Sequence, residues 1–231
     1  MSREPSSTEG DGAGRESGLT THNSQLTTRL RQLAQQAARN AEERCDLCGE
    51  PVPPEHRHLL NLASREVLCA CRACAILFDR SGSGGGARRL IPTRYRYLPD
   101  FEMTDAEWEG LRIPVNMAFF SYSSAAGRVL ALYPSPMGPT ESLLTLDAWD
   151  DLELRNPVLR QMEPDVEALL VNRVRGAREY FLVPIDECYK LVGLIRAYWT
   201  GFTGGREVWQ QIDLFFAGLR QRAGSAGGTH A

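Results

Sequence analysis

Cys45-Asp-Leu-Cys48-Gly49 and, farther on, Cys69-Ala-Cys71-Arg-Ala-Cys74 place five of the six cysteines within thirty residues. Thiolates gathered in two tight clusters are what a tetrahedral metal ion needs. A Cys-x2-Cys pair on a tight turn points two sulfurs at one ion. Gly49 suits such a turn, because it can take positive φ where backbone N–H groups face sulfur. Pairing Cys45 and Cys48 with Cys71 and Cys74 leaves a gap of 22 residues. That gap slightly exceeds the usual ~15–20, and a hairpin of two short strands fills it. Ala75 stands where the second turn would ideally carry glycine.

Zinc accepts four thiolates, and a closed shell leaves no position for water or substrate. The expected role of Cys45, Cys48, Cys71 and Cys74 is therefore structural: folding a segment too small to hold itself together. Iron in the same four-thiolate site is the alternative, and would make a rubredoxin-like electron carrier. Cys69 is surplus. It reads as a buried strand residue, or as a replacement for Cys71. His56 and His58 read as surface or hairpin residues, since four thiolates already complete the shell. Arg44 and Arg72 flank the cysteines and can offset their negative charge.

Other chemistry is short of candidates. Cys188 stands near a helix start, where a thiol can be activated. Asp186 and Glu187 oppose a thiolate there, so a buried structural cysteine is the better reading. Asp147, Asp150, Asp151 and Glu153 read as a solvated helix face with acids at its N-terminus. The four histidines are His22, His56, His58 and His230, which leaves no Ser-His-Asp arrangement and no catalytic residue to name.

The elements that must position the cysteines follow from periodicity and breakers. Residues 1–23 are polar and read as a disordered tail. Residues 24–44 read as an amphipathic helix with Leu26, Leu30, Leu33, Ala37 and Ala41 on one stripe. Residues 45–98 form a zinc-ribbon-like module. Its strands are His58 to Leu62 and Glu66 to Ala70, and it carries a Gly-rich loop at Ser81 to Ala87 that matches no phosphate-binding motif. Residues 99–222 read as an α+β domain and 223–231 as a second tail.

Within that domain, Thr104 and Glu107 make a capping box. Asn116 to Ser123 and Arg128 to Tyr133 read as a hairpin. Leu143 to Leu146 reads as a strand and Ala148 to Arg155 as a short helix. Val166 to Val174 reads as a strand, with a helix opened by Pro164-Asp165 as the alternative. Tyr180 to Ile185 is a further strand. Asp186 would cap a helix reaching Trp199, and a last helix spans Glu207 to Arg220. The fold class is α+β: a small zinc-ribbon-like module, then an antiparallel sheet with helices on one face and two C-terminal helices.

Charge is uneven. Residues 29–96 carry 12 arginines against 7 acids, and residues 97–231 carry 12 bases against 18 acids. The basic half invites an anionic partner or attraction to the acidic half. No apolar run reaches the roughly eighteen residues of a membrane span. The polar N-terminus lacks a secretory h-region, so the expected location is the cytoplasm and no membrane partner is expected.

Three segments carry a resemblance. Cys45-x2-Cys48-Gly49-Glu50-Pro51, His56-Arg57-His58-Leu59-Leu60 and Leu68-Cys69-Ala70-Cys71-x2-Cys74 resemble an uncharacterised bacterial family, a domain of unknown function. Val166 to Arg173, Tyr180 to Arg196 and Gly204-Gly205-x2-Val208-Trp209 extend the likeness over residues 24–222. That family is encoded in high-GC bacteria beside nickel–iron hydrogenases and their maturation factors. The resemblance implies a non-enzymatic accessory protein whose partner is a hydrogenase subunit or maturation factor. Likeness to the hydrogenase nickel chaperone stops at ligand type. That family binds nickel through a histidine directly after the initiator methionine, and here Ser2 follows Met1. A nucleic-acid or regulatory zinc-ribbon protein is the second reading, motivated by the basic cysteine half.

Overall fold

The computed structural model describes residues 43–78, 86–142 and 149–226. The expected tail 1–23, residues 227–231 of the expected tail 223–231, nearly all of the 24–44 helix, most of the Gly-rich loop and the Leu143 to Leu146 strand lie outside them, while residues 223–226 are helical. Residues Arg44–Ala231 form one compact unit.

The first sheet has three antiparallel strands in the order β2-β1-β3. They are β1 (Arg57–Asn61), β2 (Val67–Ala70) and β3 (Arg88–Leu90). The β1–β2 hairpin is the expected one, with Leu59 opposite Leu68 and His58 opposite Cys69. A short helix, α1 (Arg72–Leu77), follows β2. The third strand was not foreseen, because three residues between a Gly-rich loop and Ile91-Pro92 carry no period.

The second sheet is antiparallel throughout, ordered β4-β9-β8-β5-β6-β7. Its strands are β4 (Arg96–Tyr97), β5 (Met117–Ser123), β6 (Arg128–Ser135), β7 (Gly138–Glu141), β8 (Glu167–Asn172) and β9 (Glu179–Pro184). β4 pairs with β9, so this sheet takes in residues earlier than 99. β8 is a central strand buried along its whole length. That resolves the choice left open at Pro164-Asp165 in favour of a strand: apolar side chains on both faces need a layer on each side.

Alternation sorts the side chains into two cores. Met117, Phe119, Ala168, Leu170, Phe181 and Val183 enter one, with Val208, Ile212 and Phe216. That face carries the two long helices, α4 (Ile185–Tyr198) and α5 (Gly205–Ala226). Ala118, Phe120, Leu169, Val171 and Leu182 enter the other. There the cover is light: Trp108 of α2 (Asp105–Gly110), Leu152 of α3 (Trp149–Arg155) and Leu159 of a 3-10 turn. The Thr104–Glu107 capping box is present at α2.

Two helix boundaries differ from expectation. α5 runs on to Ala226, past Arg220. It opens at Gly205, whose φ of +77° brings its Cα close enough to Thr200 that a Cβ would collide with the hydroxyl. At α4 the cap position is Pro184, with no side-chain cap bond. Asp186 lies inside the first turn, and its carboxylate reaches out of the helix to His58. Among the described residues no helix is long and apolar enough to cross a membrane.

Candidate metal centre

The first cysteine pair sits on a closed loop. Cys45 N–H donates to Glu50 O at 2.8 Å, and Gly49 N–H donates to Cys45 O at 2.8 Å. Gly49 has φ +78°, the left-handed turn its lack of a Cβ permits. Arg44 donates from Nη1 to Gly49 O at 3.0 Å, so it ties the loop together. Asp46 then stitches the loop to β2: its N–H donates to Cys69 O at 2.9 Å and its Oδ2 accepts from Cys69 N–H at 2.6 Å.

The second pair is built differently. Cys71 is the N-cap of α1, and its sulfur accepts from Cys74 N–H at 3.5 Å. The chain continues as helix through Ala75, whose N–H donates to Cys71 O at 2.9 Å. This explains Ala75 at the place where a turn would want glycine. A helical residue has negative φ and needs none.

Loop, hairpin and helix start bring the sulfurs of Cys45, Cys48, Cys71 and Cys74 within 4.8 Å of one another. Around a tetrahedral ion with ~2.3 Å metal–sulfur bonds, sulfurs stand about 3.8 Å apart. Cys48 Sγ and Cys71 Sγ are 3.7 Å apart. Cys45 and Cys74 are buried, whereas Cys48 is at the surface. The donor set and spacing can hold one metal ion.

The thiols also need a cation electrostatically. Burial opposes the Cys45 thiolate, but backbone N–H groups of Cys71, Leu47 and Cys48 outweigh it and bring its pKa down to about 6. Burial and the neighbouring thiols push Cys74 up to about 12. Four crowded sulfurs cannot all ionise alone, and a divalent ion makes thiolates of them together.

The small sheet places Cys69 elsewhere. His58 and Cys69 are cross-strand partners and share one face, while Leu59, Leu68 and Ala70 share the other. Leu59 and Ala70 pack with Cys45 and Cys74. Leu60 packs into the core under α4 and α5. Cys69 therefore stands on the side of the module that meets the large sheet, partly exposed, and one ring nitrogen each of His56 and His58 lies within 4.8 Å of its sulfur. His58 is thus more than a hairpin residue: its Nδ1 donates to Asp186 Oδ2 at 2.8 Å.

Cys188 lies fully inside the main core. Burial, with the charges of Glu187 and Asp186, pushes its thiol well above the ordinary value. It is structural. Asp150 and Asp151 occupy the first turn of α3 and are exposed, as a solvated face requires.

Sequence reasoning missed a set of buried carboxylates. Asp165 takes Arg65 at 3.6 Å and Arg89 at 3.4 Å. Glu167 is paired with Arg94. Glu187 takes Arg222 at 2.8 Å, Lys190 at 2.7 Å and the Tyr95 hydroxyl at 3.0 Å. Partners lie up to 100 residues apart, as in Arg65–Asp165. The available signal was an acidic residue inside an apolar strand, as at Glu167, because such a group is retained only when paired.

No curated protein and no solved structure matches this sequence. A family model spans residues 44–223, from the first cysteine loop into the last helix. By that match the chain belongs to the family of unknown function DUF5947.

Proposed function

We propose that Cys45, Cys48, Cys71 and Cys74 hold one zinc ion in a closed shell, and that the protein is a non-enzymatic accessory factor acting through protein–protein contacts. The observation that carries this is the approach of four thiol sulfurs within 4.8 Å of one another, with no histidine or carboxylate among them. A closed shell offers nothing to a substrate. What it does is hold a knuckle, a hairpin and a helix start in one shape.

That shape presents a surface. An open cleft of about 920 Å³ runs beside the thiol cluster, lined in part by Pro51, Pro53, Arg57 and Ile76. Ile76 and Leu77 are exposed on α1. Apolar side chains next to a concave, partly charged wall suit a protein partner. The partner we infer is a nickel–iron hydrogenase subunit or maturation factor, on the strength of the family resemblance in the cysteine segments.

Zinc is favoured over iron by the surroundings. Phe78 is the one aromatic residue packed on the thiol cluster among the described residues, and Cys48 is open to solvent. Burial and packing around the sulfurs are among the levers that tune an iron centre's potential, and on the Cys48 side this shell has little of either. Nucleic acid is disfavoured by the ion pairs: Arg65, Arg89 and Arg94 of the basic half are engaged by Asp165 and Glu167.

Metal analysis and a pull-down test the reading. A colourless protein with zinc is expected, and red colour with stoichiometric iron would replace zinc by the electron-carrier reading. Affinity purification from cells making the hydrogenase should recover a hydrogenase component; repeated recovery of none would remove the proposed partner.

A further inference from the structure

The face of the small sheet opposite Leu59 and Ala70 carries a second set of metal-ligating groups. One ring nitrogen from each of His56 and His58, and the Cys69 sulfur, lie within 4.8 Å of one another. The fold brings them there in two ways. His58 and Cys69 are paired across β1 and β2. The His56 ring stands edge-on to His58 with centroids 4.7 Å apart.

Both imidazoles are already oriented. His56 Nδ1 is 2.8 Å from Pro53 O, and His58 Nδ1 is 2.8 Å from Asp186 Oδ2. A carbonyl oxygen and an ionised carboxylate accept and cannot donate, so each Nδ1 carries the proton. In a neutral ring with that tautomer the lone pair is on Nε2. A carboxylate on the far nitrogen is also the usual support of a ligating histidine, fixing its tautomer and raising its basicity.

We propose that His56, His58 and Cys69 form a second, three-ligand site for a divalent transition cation such as Zn²⁺, with a fourth position open to an exogenous donor. Two neutral imidazoles and one thiolate suit a borderline-soft ion. Three protein ligands plus one exchangeable position is the arrangement that distinguishes an open zinc site from a closed structural one. Around an ion with bond lengths of about 2.0–2.3 Å such donors stand roughly 3.3–3.6 Å apart, within a side-chain adjustment of the 4.8 Å that bounds them here. His56, His58 and Cys69 are each partly exposed. Asp186 lies on α4, so a cation bound here would tie the cysteine module to the large sheet through His58. None of this depends on the identity of the ion held by the four thiols.

The test is metal stoichiometry on the reduced, full-length protein. Zn²⁺ titration should show two equivalents, of which a mild chelator removes one. Cys69→Ala and His56→Ala should each keep the tight equivalent and lose the labile one, the retained equivalent reporting that the variant is folded. Asp186→Asn should weaken the labile equivalent about 10–100-fold and leave the tight one unmoved, as loss of an orienting partner does. Co²⁺ loading should give two distinct visible spectra in sequence, the second absent in Cys69→Ala. A single equivalent in the wild-type protein at saturating Zn²⁺ overturns the proposal. So does a labile equivalent that survives in the His56→Ala, Cys69→Ala double variant.

Discussion

The cysteine module and the six-stranded sheet are both antiparallel and pack against each other through Leu60, Val67 and Ile91, yet they are held by different means. The sheet has a core on each face, and Phe119, Phe120, Phe181 and Phe216 are fully buried in them. Burial of each such side chain contributes about 1.5–3 kcal/mol. The module's own cluster offers Val52 and Leu59 as its large buried aliphatics; its other buried members are Cys45, Ala70, Cys74 and Ala75. Ordering a residue costs about 1–2 kcal/mol, so that cluster does not hold the module by itself. In the proposed reading the module leans on a metal at one face and on the sheet domain at the other, whereas the sheet's two cores are filled mainly by its own strands and helices.

The largest effect expected from this difference is that of metal removal. Chelation, or Cys45→Ser, withdraws a binding free energy on the order of 10 kcal/mol from the module. Hydrogen exchange should lose protection over 44–78 while β5, β8 and β9 keep theirs. Simultaneous loss in the large sheet would mean that the two regions are one cooperative unit and would break the comparison.

The converse substitution is Phe181→Ala. It empties a site shared by β9 and α5 and should cost about 3–5 kcal/mol, read as a lower denaturant midpoint. The metal content of the folded fraction should not change. A fall in metal affinity would show that the module's geometry relies on the sheet more than its own contacts suggest.

Next is the seam between them. Asp165→Ala removes the carboxylate that Arg65 and Arg89 share, and also the acceptor for Ser124 N–H at 2.9 Å. Both arginines can turn to solvent, so the expected cost is about 2 kcal/mol, below that of a fully buried pair. Exchange at β3 and at the β1–β2 turn should speed up before exchange at β8 does.

The smallest effect is that of acid on the two carboxylates in the first turn of α4. Burial alone would raise Asp186 and Glu187, but His58 and Lys190 on the first, and Arg222 and Lys190 on the second, hold both below their ordinary values of 3.8 and 4.5. Carboxylates lowered in the folded state bind fewer protons there than when unfolded. Their contribution is therefore complete above about pH 5 and is lost as the pH falls below 4 through their folded values. Melting temperature followed by tryptophan fluorescence should be flat from pH 7 to 5 and decline below 4. Asp186→Asn should make that decline shallower; an unchanged slope would assign the acid sensitivity to other groups.

What could be read from the chain alone tracks how local each feature is. The thiol pairs, Gly49, the Thr104–Glu107 capping box and the β5–β6 hairpin around Gly127 are each written within a few consecutive residues, and each was legible. β8 was ambiguous, because Val166 to Val174 is apolar without alternation, and only its two covered faces decide for a strand. β3 and β4 were missed, since segments of three and two residues carry no period. Asp186 reads as a cap from its position after Pro184-Ile185, but its partner is His58, 128 residues earlier, and no local pattern holds that information. The same is true of Cys69, whose neighbourhood with His56 and His58 depends on the register of β1 against β2.

Leu59 and Leu60 are consecutive in β1 and enter different cores. One peptide bond thus separates the metal cluster from the interior of the large domain. A one-residue slip along β1 would exchange the two side chains and carry His58 away from Asp186 in the same movement. Misregistered chains therefore fail three checks at once: the cluster's packing, the main core and the histidine contact. A strand so placed ties the register of the small sheet to the packing of both cores.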